Sequence, residues 1–537
     1  MFRYPCFVGI LPSVMPRALQ VAVLLVSALA GPCVLAEADP ETPRLLFNSD
    51  NGTANLFHHD LPMTAKKMCR VVDDLEGLPV DVFLPCPQFG DDTVIYPTKV
   101  AEFSDGRHLG DDQHDEEAFG TWRQNVSSLH EQGIDPIETH IRRARELGMQ
   151  LWPSIRMNDI HKDWTDRWPS LRSRWEIENK HLAIGADYPR YYDRIGKDFT
   201  WALDFAQQAV RDHKFAVIDE LCTNYDVDGM AMDFLRHPLY FKRGQARAGM
   251  PLMTGFVRRV RERLTEIGRE RGRPLHLHVR MGRSFKESEA MGLDVRTWIK
   301  EGLVDSITVG NHDYLDQGTD VRSVTEAAKG TGILISGGLE YSVRDYGGHA
   351  SIEMLRAAAS AYWHQGADSL YLFNYDCHGP FPLRGDKRQA LVEIADPKLL
   401  LYKNKHYFIT KDVDRLLPSE GGDKQLPFLL EKAGDAQRFD FVVGDDLAEA
   451  EAIGMLKAVR LRVTVKEHDP KTQQVQIRLN DQEPGLPQVN GNVLVFGYAS
   501  ARQGANHVDV SLDGPDGKGA PPLRIEGIEL LIEYSGQ

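Results

Sequence analysis

From about residue 44 to residue 395, short apolar segments alternate with stretches of helical spacing. Such alternation predicts a parallel sheet with helices returning across it. The apolar segments are Arg44–Phe47, Val80–Leu84, Leu151–Ile155, the run ending at Asp233, Leu275–Arg280, Asp305–Val309, Gly332–Ser336 and Ser369–Phe373. Helices are predicted over Thr64–Leu75, Trp122–Glu131 with Pro136–Leu147, Ala202–Thr223, Met253–Arg269, Asp294–Glu301, Val321–Lys329, Ile352–His364 and Asp386–Ile394. Eight strand–helix units in about 350 residues place the chain in the α/β class, closing as a (β/α)8 TIM barrel over 43–395. An open doubly wound sheet is the rival fold, but no glycine-rich phosphate loop follows any strand.

Beyond residue 395 the pattern changes. A connector over 396–424 holds Pro418 and Gly421-Gly422, and period-two alternation then takes over. The alternating segments are Phe439–Val443, Val459–Val465, Val475–Leu479, Val493–Phe496, Val508–Leu512 and Ile528–Tyr534, separated by turns such as Asn490-Gly491. This predicts an antiparallel β-sandwich over 425–537. No row of aromatic residues marks it as a glycan binder, so it reads as a scaffold packed on the barrel.

The first 36 residues look like a leader. Arg17 precedes the apolar run Val21–Ala30, and Val34-Leu35-Ala36 offers a small-residue cleavage site. The run is too short for a permanent membrane span, and Pro32 before Cys33 does not suit lipid attachment. Export to the periplasm or medium is the expectation, without stable membrane insertion. A net charge of −15 argues against nucleic acid or anionic membrane as a partner. Cys69, Cys86, Cys222 and Cys377 would survive cleavage. They lack metal-ligand spacing, and buried free thiols are the expectation.

The fourth strand carries the sharpest chemical signal. In Tyr225-Asp-Val-Asp-Gly-Met-Ala-Met-Asp-Phe-Leu-Arg236, alternation puts Gly229, Ala231 and Asp233 on one face and Met230, Met232 and Phe234 on the other. Small residues would face the barrel centre and large ones the covering helices. Asp233, with Arg236 close behind, then stands at the carboxyl-terminal mouth, where barrel enzymes keep their chemistry. A structural carboxylate capping the next segment is the plainer alternative. The other strand ends bring Asp50 and Asn51; Arg156, Asn158, Asp159 and His161; His278 and Arg280; Asn311, His312, Asp313 and Tyr314; Glu340 and Tyr341; Asn374, Asp376 and His378. Turn and cap roles explain one or two such polar ends, not a set after nearly every strand.

The loop after the third strand adds Trp164, Trp168, Trp175, Tyr188, Tyr191, Tyr192 and Trp201. Connections this long are commonly functional, and flat rings stack on the C–H faces of sugars. Packing of the loop onto the barrel is the alternative. Glycoside hydrolysis normally uses two carboxyl groups across one bond. Asp233 is the candidate nucleophile and Glu340 the candidate acid/base, with Asp313 and Asp376 as reserve partners. Arg156 and Arg280 raise the expectation of an anionic group on a carbohydrate substrate, unless each pairs with a carboxylate of the chain.

Several of these motifs, in their order along the chain, resemble the bacterial glycosyl-hydrolase-like family 10 proteins. The likeness runs from about Arg44 to Pro380. It rests on Ser154-Ile-Arg-Met-Asn-Asp159, Ala202-Leu-Asp-Phe205 with Val210-Arg211, Tyr225-Asp-Val-Asp-Gly229 through Asp233, and Trp298 with Glu301-Gly-Leu-Val-Asp305. The resemblance implies an exported barrel acting on polysaccharide, with the family's fourth-strand aspartate at Asp233. The chain departs from the family where a second acid would follow that aspartate, having Phe234 there. It departs again at Asn311-His-Asp-Tyr314, where a proline-containing stretch is expected.

Two rival functions remain. A metal-dependent amidohydrolase-type barrel would use His276, His278 and Asp376, but the first strand lacks the His-x-His pair such a site needs. A non-catalytic glycan-binding surface protein is the other. The preferred reading expects no metal and no cofactor.

Overall fold

The computed structural model describes residues 42–50, 55–104, 113–160, 171–185, 201–311, 314–343, 348–376, 383–411, 425–466, 468, 473–497, 500–513 and 521–536. The leader and the second part of the predicted connector, 412–424, lie outside these residues.

Each of the eight expected apolar segments is a strand: β1 Leu45–Ser49, β2 Val82–Pro85, β3 in two pieces (Gln150–Leu151 and Ser154–Arg156), β4 Gly229–Asp233, β5 His276–Met281, β6 Ser306–Val309, β7 Leu334–Glu340 and β8 Ser369–Phe373. They form one parallel sheet of nine hydrogen-bonded segments, running from the first piece of β3 through β2, β1, β8, β7, β6, β5 and β4 to its second piece. Sequence pattern expects β3 to be continuous, and Pro153, which has no N–H to give a ladder, divides it. On one side of the break Trp152 N donates to Phe83 O (3.0 Å), and on the other Ala231 N donates to Pro153 O (2.9 Å). The sheet therefore curls until its two ends share one stretch of chain, in an α/β-barrel-like arrangement.

Side-chain alternation divides the sheet's two faces. Met230, Met232 and Phe234 join the large core between sheet and helices, whereas Ala231 packs inside with Leu46, Val82, Leu84, Trp152, Tyr371 and Phe373. Against this inner cluster, His278 lies between Ser306 Oγ (2.6 Å) and Thr308 Oγ1 (3.0 Å) and stacks on Tyr371 with centroids 5.7 Å apart.

Three helices frame the sheet where it meets the rest of the chain: α1 Gln208–Asn224, α2 Ala246–Arg271 and α3 Ile352–His364. The sequence pattern starts α2 at Met253. The helix instead begins at Ala246 with Pro251 inside it, and Gly272 closes it in the left-handed conformation (φ 72°). Helix α3 is apolar on two sides. Leu355, Ala358, Ala359 and Tyr362 face the barrel core, and Ala357 and Ala361 belong to the core of the C-terminal sheets. Backbone approaches close on both flanks: a Cβ on Gly337 of β7 would lie 2.4 Å from the Tyr362 ring, and one on Gly444 would lie 2.2 Å from Ser360 O.

The C-terminal strands are β9 Lys405–Phe408, β10 Phe428–Leu430, β11 Ala436–Val443, β12 Leu456–Lys466, β13 Gln474–Leu479, β14 Gln488–Asn490, β15 Val493–Phe496, β16 Gly504–Asp513 and β17 Leu523–Tyr534. One antiparallel sheet runs β9-β17-β12-β15-β14, with β10 also on β17; the other runs β11-β16-β13. Alternate residues of both sheets meet in one apolar core. Strand β9 falls inside the stretch read as a connector. Its inward Lys405 breaks the apolar pattern because it is buried in an ion pair with Asp445 (2.6 Å), which also accepts from Tyr407 and Tyr534.

Candidate active site

Backbone register brings the charged strand ends together. Arg156 is paired with Asp233 across β3 and β4, and Asp233 with Arg280 across β4 and β5. Residues in register on neighbouring strands project to the same face, here the inside. Glu340, the last residue of β7, is in register with Phe373 of β8. All three of Asp233, Arg280 and Glu340 are at least nine-tenths buried.

Arg280 joins the two acids. Its Nη1 donates to both carboxylate oxygens of Asp233 (3.3 and 3.2 Å), and its Nη2 donates to Asn311 O (2.8 Å) and to Glu340 Oε1. The guanidinium lies 4.0 Å from the centroid of the Phe373 ring. Leu235 N–H also donates to Asp233 Oδ1 (2.8 Å), fixing the carboxylate plane. A proton on either acid would leave the trio electrically neutral.

A second trio stands beside it. Arg156 donates from Nη2 to Asp50 (2.5 Å) and from Nη1 to Asp159 (2.6 Å), with His237 Nδ1 3.6 Å from Asp159. Burial works against both guanidinium charges. The flanking acids outweigh it and hold both arginines above their ordinary range, Asp50 and Asp159 for Arg156, Asp233 and Glu340 for Arg280. Both forks thus engage carboxylates of the chain, the alternative that the sequence left open, so neither supplies a reason to expect an anionic substrate group.

The remaining candidates divide by what they already bind. Asn158 is wholly buried and spent on backbone: Leu203 N donates to its Oδ1 (3.0 Å), and its Nδ2 donates to Leu203 O (3.1 Å) and Leu239 O (2.5 Å). His278 is committed to Ser306 and Thr308. Burial, with the neighbouring His276 and Arg280, pushes its imidazole well below the usual range. Asp376 accepts from Ser49 Oγ (2.6 Å), and Asn311 Nδ2 donates to Asp316 (3.1 Å). Tyr314 is buried and Arg236 half-buried. Tyr341 stacks on His349 (4.8 Å) beneath Lys387. Asn374 follows β8 in the left-handed region (φ 47°), and its buried Oδ1 meets no hydrogen-bond donor among the described residues. Asn51, His161, Trp164, Trp168, His312, Asp313 and His378 lie outside the described residues.

Three participants escape sequence reasoning. Phe373, the platform under Arg280, reads as an ordinary strand residue. Asp316 and His237 sit in loops whose partners, Arg283 (3.0 Å) and Asp159, come from distant positions.

Among the described residues the amidohydrolase-type arrangement is not assembled. His276 opens β5 at the end away from the strand termini, stacks on Trp152 (4.2 Å) and contacts Ser306 Oγ, and both ring nitrogens of His278 are engaged. Among the described residues the grouping with metal-ligand spacing is Asp481, His507 and Asp509, on the surface of the C-terminal sheets and bridged by Arg438. Cys69, Cys86 and Cys222 are free thiols, and no helix among the described residues is long and apolar enough to cross a membrane.

No family model and no curated protein matches the chain. Solved structures that resemble it include α-L-fucosidase isoenzyme 2 from Paenibacillus thiaminolyticus, 12% identical with a TM-score of 0.41 over 66% of this chain and 48% of that one. The glycoside hydrolase domain of PgaB (BpsB) from Bordetella bronchiseptica is 12% identical with a TM-score of 0.39, over 66% and 98%. A GH18 chitinase from Pseudoalteromonas aurantia is 10% identical with a TM-score of 0.35, over 66% and 100%. The chain spans about half the length of the fucosidase it matches. These neighbours are glycoside hydrolases.

Proposed function

We propose that this chain is an exported glycoside hydrolase acting on a polysaccharide or oligosaccharide, with Asp233 as nucleophile and Glu340 as acid/base. The carrying observation is that Arg280 bridges these two acids at the ends of β4 and β7. In this reading the curled sheet is a closed (β/α)8 barrel of the glycosyl-hydrolase-like family 10 type, and the two C-terminal sheets are a sandwich that braces it through α3. After removal of residues 1–36 the mature chain works in the periplasm or medium.

The chain's own groups give the chemistry. Leu235 N–H and Arg280 hold the Asp233 carboxylate in one orientation for attack on the anomeric carbon. Glu340 carries the proton for the leaving oxygen and, as that proton departs, gains its full ion pair with Arg280. The positive charge thus stabilises whichever acid is ionised at each step. Asn374, Asp50, Arg236, Tyr314 and Tyr341 are the further candidates for contacts with the sugar. Asp376 and Asp313 stay as alternative partners for Asp233.

The test is a screen of the mature protein against plant, algal and bacterial polysaccharides, reading reducing ends. It is run for the wild type, for Asp233→Asn and with a chelator present. A hydrolase shows wild-type turnover that falls by roughly three orders of magnitude or more in Asp233→Asn with binding intact. It is also indifferent to chelation. Binding without turnover in either form would make the barrel a glycan binder and overturn the proposal.

A further inference from the structure

The segment that follows β6 is buried, where a connecting loop ordinarily runs over the surface. Tyr314, Leu315, Asp316 and Gln317 are all more than nine-tenths buried. A loop taken out of water must find partners for its polar groups, and this one draws them from both halves of the chain.

Gln317 ties the loop to the C-terminal sheet. Its Nε2 donates to His406 O (3.1 Å) and to Met354 O of α3 (3.1 Å), and its Oε1 accepts from Phe408 N (2.8 Å). Strand β9 lies at the edge of its sheet, and Ile409 N next to Phe408 donates to Ile528 O near β17. Backbone groups of an antiparallel strand alternate in direction, so His406 O and Phe408 N point away from β17. The Gln317 amide meets both and stands in for a missing neighbour strand. Thr410 Oγ1 adds a bond to Leu315 O (3.3 Å).

Asp316 carries the connection to the barrel mouth. Its Oδ2 accepts from Arg283 Nη1 (3.0 Å) and Asn311 Nδ2 (3.1 Å), its Oδ1 from Gly318 N (2.9 Å), and its carbonyl from the Tyr362 hydroxyl (2.6 Å). Asn311 O in turn accepts from Arg280 Nη2 (2.8 Å), the nitrogen that also donates to Glu340. A guanidinium between two acids can settle toward either one. The Asn311 carbonyl gives Nη2 a third, fixed acceptor, and small displacements of a catalytic group are costly. We propose that Gln317 and Asp316 are positioning residues, through which the C-terminal sheet sets where Arg280 stands between Asp233 and Glu340. This rests on the hydrolase reading and gives the C-terminal sheets a part in the site beyond bracing the barrel.

Gln317→Ala in the full mature chain tests it, with Tyr534→Phe as the control. The control loses a buried hydrogen bond to Asp445 (2.7 Å) in the same C-terminal core without touching the loop. On the polysaccharide that the wild type cleaves, Gln317→Ala should lower kcat about tenfold or more while KM changes less than about twofold. The alkaline limb of its pH profile, where the acid catalyst loses its proton, should move to higher pH as Arg280 slackens on Glu340. Tyr534→Phe should leave both unchanged. Should Gln317→Ala not fold, Asp316→Asn carries the same expectation, because an amide accepts at one end where the carboxylate accepts at both. A kcat loss no larger than the control's, with an unmoved pH profile, overturns the proposal. Urea unfolding of Gln317→Ala and Arg280→Leu, singly and combined, gives a readout that needs no turnover. The two losses should not add, since the loop's hold on Arg280 is absent once Arg280 is gone. Strict additivity overturns the proposal whether or not the chain is active. Failure of the hydrolase reading is separately visible, since wild type and Asp233→Asn would then be equally inert.

Discussion

Replacing Arg280 with leucine removes the cation that Asp233 and Glu340 share. Each contact is an ion pair in a site nine-tenths or more buried. At an effective dielectric near 20, opposite charges about 4 Å apart attract by about 4 kcal/mol before desolvation is counted. Breaking a buried pair by deleting one partner generally costs about 3–5 kcal/mol, because a charge is left uncompensated. Here two acids are left facing each other. The variant should therefore lose about 3–5 kcal/mol at pH 7 in urea-unfolding experiments. The pH dependence carries a definite sign. Two close carboxylates retain a shared proton, so the folded variant binds protons more tightly than the unfolded chain. Its stability deficit should then shrink as pH falls from 8 toward 5 and grow as pH rises. Adding Asp233→Asn should restore part of the loss, with a coupling of about 1–3 kcal/mol in the double-mutant cycle. A deficit below about 1 kcal/mol that does not change with pH would show that the three groups are not one buried cluster, and the two-acid mechanism would go with it.

Packing and titration give two further outcomes. Gly444→Ala places a Cβ 2.2 Å from Ser360 O, so the C-terminal sheets must back away from α3 at a cost of about 1–3 kcal/mol. Gly255→Ala, within α2 with nothing near the added carbon, should instead stabilise by about 0.5–1 kcal/mol; equal thermal shifts for the two variants would refute the close approach. His140 is wholly buried against Phe83, and burial pushes its imidazole down to about 4. A base with a depressed folded value contributes stability in full above its unfolded value near 6.5. That contribution, about 3 kcal/mol across the window at most, is lost as pH falls toward 4. His140→Gln should flatten the acid limb of the stability curve, and an unchanged limb would assign the loss elsewhere.

The strands and their spacing were readable in the chain because apolar side chains report burial directly. The division of β4 into a small inner face and a large outer face is the clearest case. What the pattern missed were places where a polar or proline residue sits inside an element. Pro153 splits β3, Pro251 rides inside α2, and Lys405 enters the C-terminal core on Asp445. The candidate site shows the same limit. Alternation could place Asp233, Arg280 and Glu340 at the strand ends, since each is set by its own strand. It could not assign partners, because Arg280 stands 47 residues from Asp233 and 60 from Glu340. Partnership is set by register across the sheet, and register decides the meaning of an arginine. From the sequence the Arg280 guanidinium could serve an external anion or a carboxylate of the chain, and with β4 and β7 flanking it, it is the counter-ion of two acids.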